Sequence, residues 1–500
     1  MEYFVPAWHE QYDDWSISIP TIGNFDAISH MRILQNNNRE VGLIVSDYQP
    51  QLTTRLNQLS YHPDKLFSVY DYLQNINTLE NRIVELNDFN WPKNAVLDFT
   101  PFRTLIVDQN KLIARILYDL EGKILRIEHK GINENENYTL VMDSRGFISS
   151  KITNQETIYL DPYGDWRFKQ EHSSGKVKIN TDMHFCKKEE YDSLEELVNE
   201  VIKEYLVTHL RKEDHLIVTL DDQSTVPINL FVPFKSTFLI NQKEPYHRKL
   251  ATLQTGTLLV NEEKLAEKIK KQYPNHFDIH IIPTYNSEFR LGHSLREKVQ
   301  EIAFFAENAD NNEIDTIVHQ LCKYVSKDYK NKSIRIYTYS PDKDNVVNQV
   351  IDNIKKESKG KWIIGKNKDY IENDAISGLE KEASLPQIDI ASMRLTNISQ
   401  LLKSLDKTRI LINWGKANEL MQIAAISIGI PQIQNFVSTT VVHQKNGYIC
   451  QDTSEISKIL DKYLDDLKSW NNALIYNVKM LNQYSEKNIM KRWKKLLGDK

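Results

Sequence analysis

The residues best suited to chemistry lie within 408–452, where polar side chains separate short apolar runs. Residues 409–413 are mostly apolar, and residues 418–428 repeat apolar side chains at helical spacing. Gly-Ile-Pro at 429–431 stops the helix before extended structure resumes. The pattern predicts strand, helix, strand, with Asn418 as the helix N-cap. Amides at such a helix start favour an anion such as a diphosphate, although an ordinary α/β crossover shows the same pattern.

Four polar side chains would lie at the carboxyl edge of such a sheet, and they are Lys416, Asn418, Glu419 and His443. Because ligands bind preferentially in clefts between domains, we expect these four to form a glycan-binding site in a cleft. The alternative for His443 is an ordinary surface or core histidine.

A second group of candidate residues surrounds a predicted turn at 161–166. Tyr163, Trp166, Arg167 and Phe168 combine aromatic rings with a guanidinium, which is typical of residues that anchor protein interfaces. We expect them on an exposed sheet face, where they would bind a partner protein. The alternative is that they are turn and core residues of a small sheet.

The hydrophobic period changes twice along the chain. Residues 1–85 begin as α/β, with a strand near Val41. From about residue 99 to 180, extended runs alternate with glycine turns, and this pattern predicts an antiparallel meander. From Ser193 strands and helices alternate again, so the meander is an insertion in a first Rossmann-like domain. A long helix, with room for a break near residues 308–312, is expected over residues 294–329, before the strands of a second domain.

Composition excludes several classes of protein. The 500 residues are 40% hydrophobic and 26% charged with a net charge of −5, which predicts a soluble protein without a field that attracts nucleic acid. Neither a secretory signal nor an apolar run long enough to cross a membrane occurs, and three widely spaced cysteines fit a reducing compartment, so we expect a cytoplasmic protein. No motif for a metal, a phosphate loop or a nucleophilic serine is present, so we expect no metal and no cofactor.

The C-terminal part resembles the second domain of retaining glycosyltransferases of the GT-B type. The resemblance rests on the predicted helix followed by Gly-Ile-Pro at 429–431, by Val-Val-His at 441–443 and by Asn-Gly-Tyr at 446–448. Active members of that class carry two glutamates, separated by seven residues, that contact the sugar and the ribose. Those positions correspond here to Lys416 and Ala424, so neither is an acid.

The resemblance also implies a changed phosphate site. Active GT-B enzymes have an arginine, closely followed by a lysine, at the end of a strand early in this domain. We expect the corresponding strand at 334–340, where Arg335 lies inside the strand and only Lys343 remains near its end. Glu419 is the only acid near the expected glutamate positions, and it is out of register by three residues. We therefore expect no catalytic residues.

Other motifs make the whole chain resemble the first of the accessory Sec system secretory proteins of Gram-positive bacteria. They are MEYFVPAW at 1–8, DYQPQL at 47–52, FNWP at 89–92, Asn180 at the end of the meander, and the block 429–448. The resemblance implies a cytosolic, GT-B-like protein without catalytic activity. It also implies partners: two other accessory secretory proteins, the accessory motor ATPase, and a serine-rich repeat adhesin carrying a GlcNAc-containing glycan, with membrane association only through partners.

The expected fold is therefore α/β and GT-B-like, with two Rossmann-like domains and an antiparallel β-sheet inserted in the first. The expected boundaries are 1–95 for the start of the first domain, 96–185 for the insertion, 186–330 for the rest of the first domain, 331–475 for the second domain, and 476–500 for a C-terminal crossover helix.

Three functions remain open at this point. The first is a non-catalytic export component that binds the adhesin and its partner proteins and helps deliver the adhesin to the motor ATPase. The second is an active glycosyltransferase that uses a UDP-sugar to modify the adhesin, which would require an acid from elsewhere, such as Glu419 or Asp47. The third is a structural subunit without affinity for glycans.

Overall fold

A computed structural model describes residues 1–8, 26–77, 81–100, 103–119, 122–183, 186–240, 245–288, 290–358, 361–364, 385–396 and 398–499. The chain divides into two compact units. The first unit contains the described residues within 1–19 and 30–281, and the second contains those within 20–29 and 282–500.

The strands are, in chain order, β1 (Glu2–Val5), β2 (Val41–Val45), β3 (Lys65–Ser68), β4 (Val96–Phe99), β5 (Arg103–Asp108), β6 (Lys111–Tyr118), β7 (Ile124–His129), β8 (Tyr138–Asp143), β9 (Phe147–Thr153), β10 (Glu156–Leu160), β11 (Trp166–Glu171), β12 (Val177–Ile179), β13 (Glu190–Tyr191), β14 (His215–Thr219), β15 (Ser236–Ile240), β16 (Gly256–Val260), β17 (Phe277–Ile281), β18 (Gln300–Phe305), β19 (Lys332–Thr338), β20 (Ile363–Ile364), β21 (Gln387–Ile388), β22 (Ile390–Arg394), β23 (Thr408–Asn413), β24 (Gln432–Gln434) and β25 (Gly447–Ile449).

The helices are α1 (Asp26–Asn36), α2 (Leu52–Gln58), α3 (Val69–Leu73), α4 (Leu194–His209), α5 (His247–Thr252), α6 (Glu263–Gln272), α7 (Asn311–Val325), α8 (Pro341–Glu357), α9 (Ile398–Leu405), α10 (Glu419–Ile428), α11 (Ile456–Leu464), α12 (Leu467–Gln483) and α13 (Glu486–Leu497).

The first unit contains a seven-stranded parallel sheet in the order β17-β16-β15-β14-β1-β2-β3. Strand β2 reads Val-Gly-Leu-Ile-Val and is buried along its whole length. Continuous apolar runs of this kind form parallel strands because both faces of the sheet are covered. Helix α4 covers one face with a stripe of buried aliphatic residues that includes Leu197, Val201 and Leu206.

Between β3 and β14 the chain forms a ten-stranded antiparallel sheet, with β4 to β13 in sequential order. Gly146 (φ 91°) and Gly175 (φ 74°) lie in two of the predicted turns, in a left-handed conformation that glycine adopts without strain. The predicted meander is therefore confirmed. The sheet runs from Val96 to Tyr191, so its last strand lies beyond the expected limit at residue 185.

The second unit contains a six-stranded parallel sheet in the order β22-β19-β18-β23-β24-β25. The long helix expected over residues 294–329 is wrong, because this segment forms the central strand β18 and then helix α7. The apolar run at 302–306 is too short for its period to distinguish a buried strand from a helix. The expected start at residue 331 consequently falls inside the second unit, after β18 and α7.

Helix α12 packs within the second unit. Its Trp470 is fully buried, and the indole Nε1 donates a hydrogen bond of 2.8 Å to the carbonyl oxygen of Arg409 in β23. Trp470 is therefore part of the core of the second unit. Among the described residues, no helix has both the length and the apolar content needed to cross a bilayer.

Candidate functional site

The carboxyl ends of four neighbouring strands of the second sheet meet at one edge. In parallel α/β sheets this edge is where ligands bind, because the loops that leave adjacent strands converge there. We call the polar groups at this edge the strand-end network, and its members are Glu307, Asn308, Tyr339, Ser340, Gly415, Lys416 and Asn435. They follow β18, β19, β23 and β24.

Glu307 is the acceptor at the centre of the strand-end network. One of its carboxylate oxygens accepts hydrogen bonds from the backbone N–H groups of Tyr339, at 2.7 Å, and Ser340, at 3.0 Å. Ser340 is the N-cap of α8, and its hydroxyl accepts from the N–H of Lys343. A negative charge is stabilised at a helix N-terminus by the amides and the dipole. Burial, and next the charge of Glu307, raise the pKa of Tyr339.

The end of β23 is held against the end of β18. The side chain of Asn308 donates to the carbonyl oxygen of Lys416 at 3.0 Å, and the N–H of Gly415 donates to the side chain of Asn435 at 2.8 Å. Gly415 has a φ of 90°, and a Cβ atom there would lie 2.0 Å from the carbonyl oxygen of Asn308. Only glycine fits this position, because the ends of β18 and β23 approach so closely. The polar groups at these strand ends form hydrogen bonds with one another.

Three of the four predicted glycan-binding residues, Lys416, Asn418 and Glu419, lie in the turn between β23 and α10. Lys416 is exposed, whereas Asn418 is buried and its side chain accepts from the N–H of Met421 at 3.0 Å, so the predicted N-cap is confirmed. A carboxylate oxygen of Glu419 accepts from the N–H of Thr284 at 2.9 Å. Asn418 and Glu419 thus have structural partners, and Lys416 is the one of these three residues that is exposed.

His443, the fourth predicted glycan-binding residue, lies in the loop between β24 and β25. Its ring is exposed, and Nδ1 accepts from the N–H of Ile449 at 3.1 Å, which leaves the ring proton of a neutral imidazole on Nε2. The ring packs edge-on against Tyr448, with the centroids 4.9 Å apart. These contacts fix the loop and favour the alternative of a surface histidine.

The strand expected to correspond to the phosphate site of GT-B enzymes is β19. The first strand of the second unit is instead β18, and Glu307 follows it. The apolar run at 302–306, followed by the capping residue Asp310, is the signal that could have indicated this strand.

Arg335 and Lys343, the basic residues considered for that phosphate site, both have partners. Arg335 lies inside β19, where its guanidinium pairs with the carboxylate of Asp389 at 2.9 Å. The Nζ atom of Lys343 donates to the carbonyl oxygen of Ala309 at 2.6 Å and to the side chain of Asn311 at 3.3 Å. Both side chains therefore already have partners within the chain.

The four predicted partner-binding residues divide between surface and core. Tyr163 is 83% exposed at the turn between β10 and β11, while Trp166 and Arg167 are half-buried. The exposed position expected for Phe168 is wrong, because it is fully buried and its ring stacks on that of Tyr159 with the centroids 4.3 Å apart. In a β-strand successive side chains point to opposite faces, so Phe168 belongs to the core while Arg167 faces away from it.

Solved glycosyltransferases match nearly the whole chain. The pneumococcal O-GlcNAc transferase GtfA, in complex with UDP and GlcNAc, has a TM-score of 0.65 at 12% identity, covering 99% of this chain and 98% of that chain. TarM has a TM-score of 0.62 at 13% identity, covering 100% and 99%. At these identities the likeness shows the fold alone, and the fold is α/β of the GT-B type.

Two solved complexes are more similar. In the crystal structure of accessory secretory proteins 1, 2 and 3 of Streptococcus pneumoniae, the matching chain has a TM-score of 0.76 at 22% identity, covering 100% of this chain and 99% of that chain. In the Glycosylation Associate Protein (Gap123) complex of Streptococcus agalactiae, the TM-score is 0.77 at 22% identity, covering 98% and 99%.

Curated relatives give the same result along the full length. The relative in Streptococcus gordonii is 25% identical over 529 residues, covering 100% of this chain and 99% of its own length. The relative in Staphylococcus aureus is 24% identical over 527 residues, covering 99% of each. Both relatives carry the same name, that of the first accessory Sec system protein. The family model for this first accessory Sec system protein matches residues 1–500, and the chain therefore belongs to that family.

Proposed function

We propose that this chain is a non-catalytic component of the accessory Sec export system. It binds two other accessory secretory proteins and the glycosylated serine-rich repeat adhesin, and it helps deliver the adhesin to the accessory motor ATPase. It acts in the cytoplasm and reaches the membrane only through its partners. The chemistry of this role is recognition, and no bond is made or broken.

The carboxylate of Glu307 is the observation that carries this proposal. A sugar-nucleotide enzyme of this fold needs amides and cations that neutralise the leaving diphosphate. Here the amides of Tyr339 and Ser340 are used by a carboxylate of the chain itself. A second anion at this place would be repelled by Glu307 and would find the amides occupied, which supports a site without donor binding.

The partner half of the proposal rests on the relatives. Proteins of similar sequence and fold have been crystallised as complexes of accessory secretory proteins 1, 2 and 3. Within this chain, Tyr163, Trp166 and Arg167 are the candidate partner-binding residues that remain accessible. Lys416 is the candidate contact for a GlcNAc-containing glycan, and Asn418, Glu419 and His443 act by holding the loops around it.

Co-purification tests the partner half directly. We expect the full chain to form a stable complex with the two partner proteins from the same host when all three are co-expressed. Tyr163→Ala should reduce recovery of the complex. Ile132→Ala is the control and should leave recovery unchanged, because Ile132 is an exposed apolar residue in a different loop of the same sheet, between β7 and β8. Absence of any complex would reject this half of the proposal.

Isothermal titration with a GlcNAc-bearing serine-rich peptide tests the glycan half. We expect saturable binding that Lys416→Ala weakens and that Lys445→Ala, an exposed lysine in the loop of His443, does not. A complex that forms normally without any peptide binding would indicate the purely structural subunit instead.

The glycosyltransferase alternative has one observation in its favour. The fold is shared with enzymes such as GtfA, whose structure contains UDP and GlcNAc. This alternative predicts turnover of a UDP-sugar by the isolated chain, which the proposed function excludes.

A further inference from the structure

Strand β3 forms one edge of the seven-stranded sheet in the first unit. Within the described part of the chain no strand pairs with its outer side. The N–H of Asp64 donates to the carbonyl oxygen of Val41 at 3.0 Å, so the backbone groups of Asp64 and of Leu66 point toward β2. Because backbone direction alternates along a strand, the N–H and C=O groups of Lys65 and Phe67 point outward.

A cavity of about 220 Å³ lies beside this edge. It is lined by Phe67 of β3, Tyr72 of α3, and Glu204, Tyr205, Thr208 and His209 of α4. The rings of Phe67 and Tyr205 stack with centroids 3.7 Å apart, and Tyr205 and His209 stack at 4.6 Å. Tyr72, which is 40% exposed, lies at the mouth with its ring tilted 53° to that of Phe67. We call this cavity the edge pocket.

The edge pocket has one uncompensated charge. Within the described residues the carboxylate of Glu204 makes neither a hydrogen bond nor an ion pair, although the residue is only partly exposed. Nearby, the ammonium of Lys65 lies 5.6 Å from the centroid of Tyr205, so a cation already packs on this group of rings. Aromatic faces attract cations, and a carboxylate beside them adds to that attraction.

Arginine satisfies these groups better than other side chains. Its planar guanidinium stacks on aromatic rings and forms two parallel hydrogen bonds to a carboxylate, whereas a lysine ammonium acts as a compact point charge. An extended peptide beside β3 would pair its backbone with Lys65 and Phe67, and alternate side chains of that peptide would face the edge pocket. Recognition of this kind takes its affinity from the main chain and its specificity from the pocket.

We propose that the outer edge of β3 and the edge pocket bind an extended, arginine-bearing peptide segment of a partner protein, with the peptide backbone paired to Lys65 and Phe67 and the guanidinium paired with Glu204.

Fluorescence anisotropy with the full-length chain tests this proposal. The probe is a labelled, acetylated heptapeptide that alternates threonine and valine around a central arginine, at concentrations up to the millimolar range. Two matched peptides carry either a central glutamate or N-methylated amides on the side that faces β3. The variant is Glu204→Gln, and the control is Glu195→Gln, which removes the same charge from an exposed position in the first turn of the same helix.

We expect saturable binding of the arginine peptide, and Glu204→Gln should weaken it about tenfold, as for loss of a partly desolvated charge pair. Glu195→Gln should have no effect, and both the glutamate peptide and the N-methylated peptide should bind at least about tenfold more weakly. Hydrogen exchange at residues 65–68 should slow when the arginine peptide is added. Absence of binding, equal binding of the arginine and glutamate peptides, or binding that Glu204→Gln does not weaken would overturn the proposal.

Discussion

At the residue scale, the proposed absence of sugar-nucleotide binding rests on Glu307, whose carboxylate accepts from two backbone N–H groups. An acid that accepts two amide hydrogen bonds stabilises the loop between β19 and α8 and also gives this edge of the sheet a negative charge. One side chain therefore contributes to stability, and under the proposed function the same side chain disfavours a diphosphate at this edge. The role of Glu307 depends on which strand it follows, and that could not be derived from its type or its spacing.

The first prediction concerns Glu307 itself. Glu307→Ala leaves two backbone amides without their acceptor, and we expect the free energy of unfolding to fall by about 1–3 kcal/mol. Urea unfolding of both proteins measures this difference. Glu313→Ala is not a suitable control, because its carboxylate caps α7 and accepts from the indole of Trp414. Glu195→Ala, on the exposed first turn of α4, is the matched control and should change stability little. Equal stability of Glu307→Ala and the parent chain would show that these hydrogen bonds do not hold the loop.

The second prediction concerns pH. Burial, followed by the charges of Lys235, Arg39 and the N-terminus, lowers the pKa of His215 to about 4. In the unfolded chain the imidazole takes up its proton near pH 6.5, so stability decreases as the pH falls below about 6.5 and this decrease ends near the folded pKa. Within that window the slope from one such histidine is at most about 1.4 kcal/mol per pH unit.

Urea unfolding at pH 7, 6 and 5 tests the role of His215. His215→Gln, which keeps a polar side chain beside Thr237 but does not titrate, should flatten the decrease of stability with falling pH. The exposed His172 provides the control, because His172→Gln should leave the slope as it is. If both variants show the slope of the parent chain, His215 does not carry the pH dependence.

Some residue-scale features could be predicted from the sequence and others could not. Asn418 is recognisable as an N-cap because capping depends only on its position before an apolar helical repeat. The prediction for Phe168 is wrong because it places the adjacent residues Arg167 and Phe168 on one face, whereas successive side chains of a strand point to opposite faces. The contact between Glu419 and the N–H of Thr284 joins residues far apart in the sequence, and local patterns do not encode such contacts.

At the element scale, the C-terminal stop of α10 determines how closely this helix packs against α12. Gly429 has a φ of 85° and donates to the carbonyl oxygens of Ala425 and Ile426. A Cβ atom at this position would lie 2.2 Å from Leu474 of α12 and 2.8 Å from Leu291. Glycine is therefore required here for its conformation and also for its size.

The third prediction separates these two requirements. Gly429→Ala should destabilise the chain by about 1–3 kcal/mol, because it combines left-handed strain with overpacking. Gly498→Ala has a similar φ of 79° with nothing within 4 Å of the added Cβ, so it should show the strain alone, about 1 kcal/mol or less. Urea unfolding measures the free energy of unfolding of both variants. Equal losses of stability would show that α12 accommodates the added methyl group without a cost in free energy.

The elements themselves differ in how well the sequence predicts them. The antiparallel sheet is recognisable because alternating residues and glycine turns occur together, and both are local signals. The pattern assigns strand β18 to a helix, since a short apolar run buried on both faces has no period of its own. That error moves the start of the second domain and directs attention to Arg335 instead of Glu307.

At the scale of the whole molecule, the fold and the family were predicted from motifs spread along the full chain, and the family model covers residues 1–500. Partner surfaces could not be predicted in the same way, because an exposed residue such as Tyr163 and an edge strand such as β3 carry no sequence signal for what binds them. These surfaces are defined only when the chain is folded.

The central claim is that this chain binds its substrate without transferring a sugar. Titration of the purified full-length chain with UDP and UDP-GlcNAc, followed by a transfer assay on a serine-rich acceptor peptide, tests this claim most directly, and GtfA is the positive control. We predict no saturable heat and no transferred GlcNAc, because Glu307 already accepts from the amides at the start of α8 that an anion at this edge would otherwise use. Saturable UDP binding together with GlcNAc transfer by the isolated chain would contradict the account.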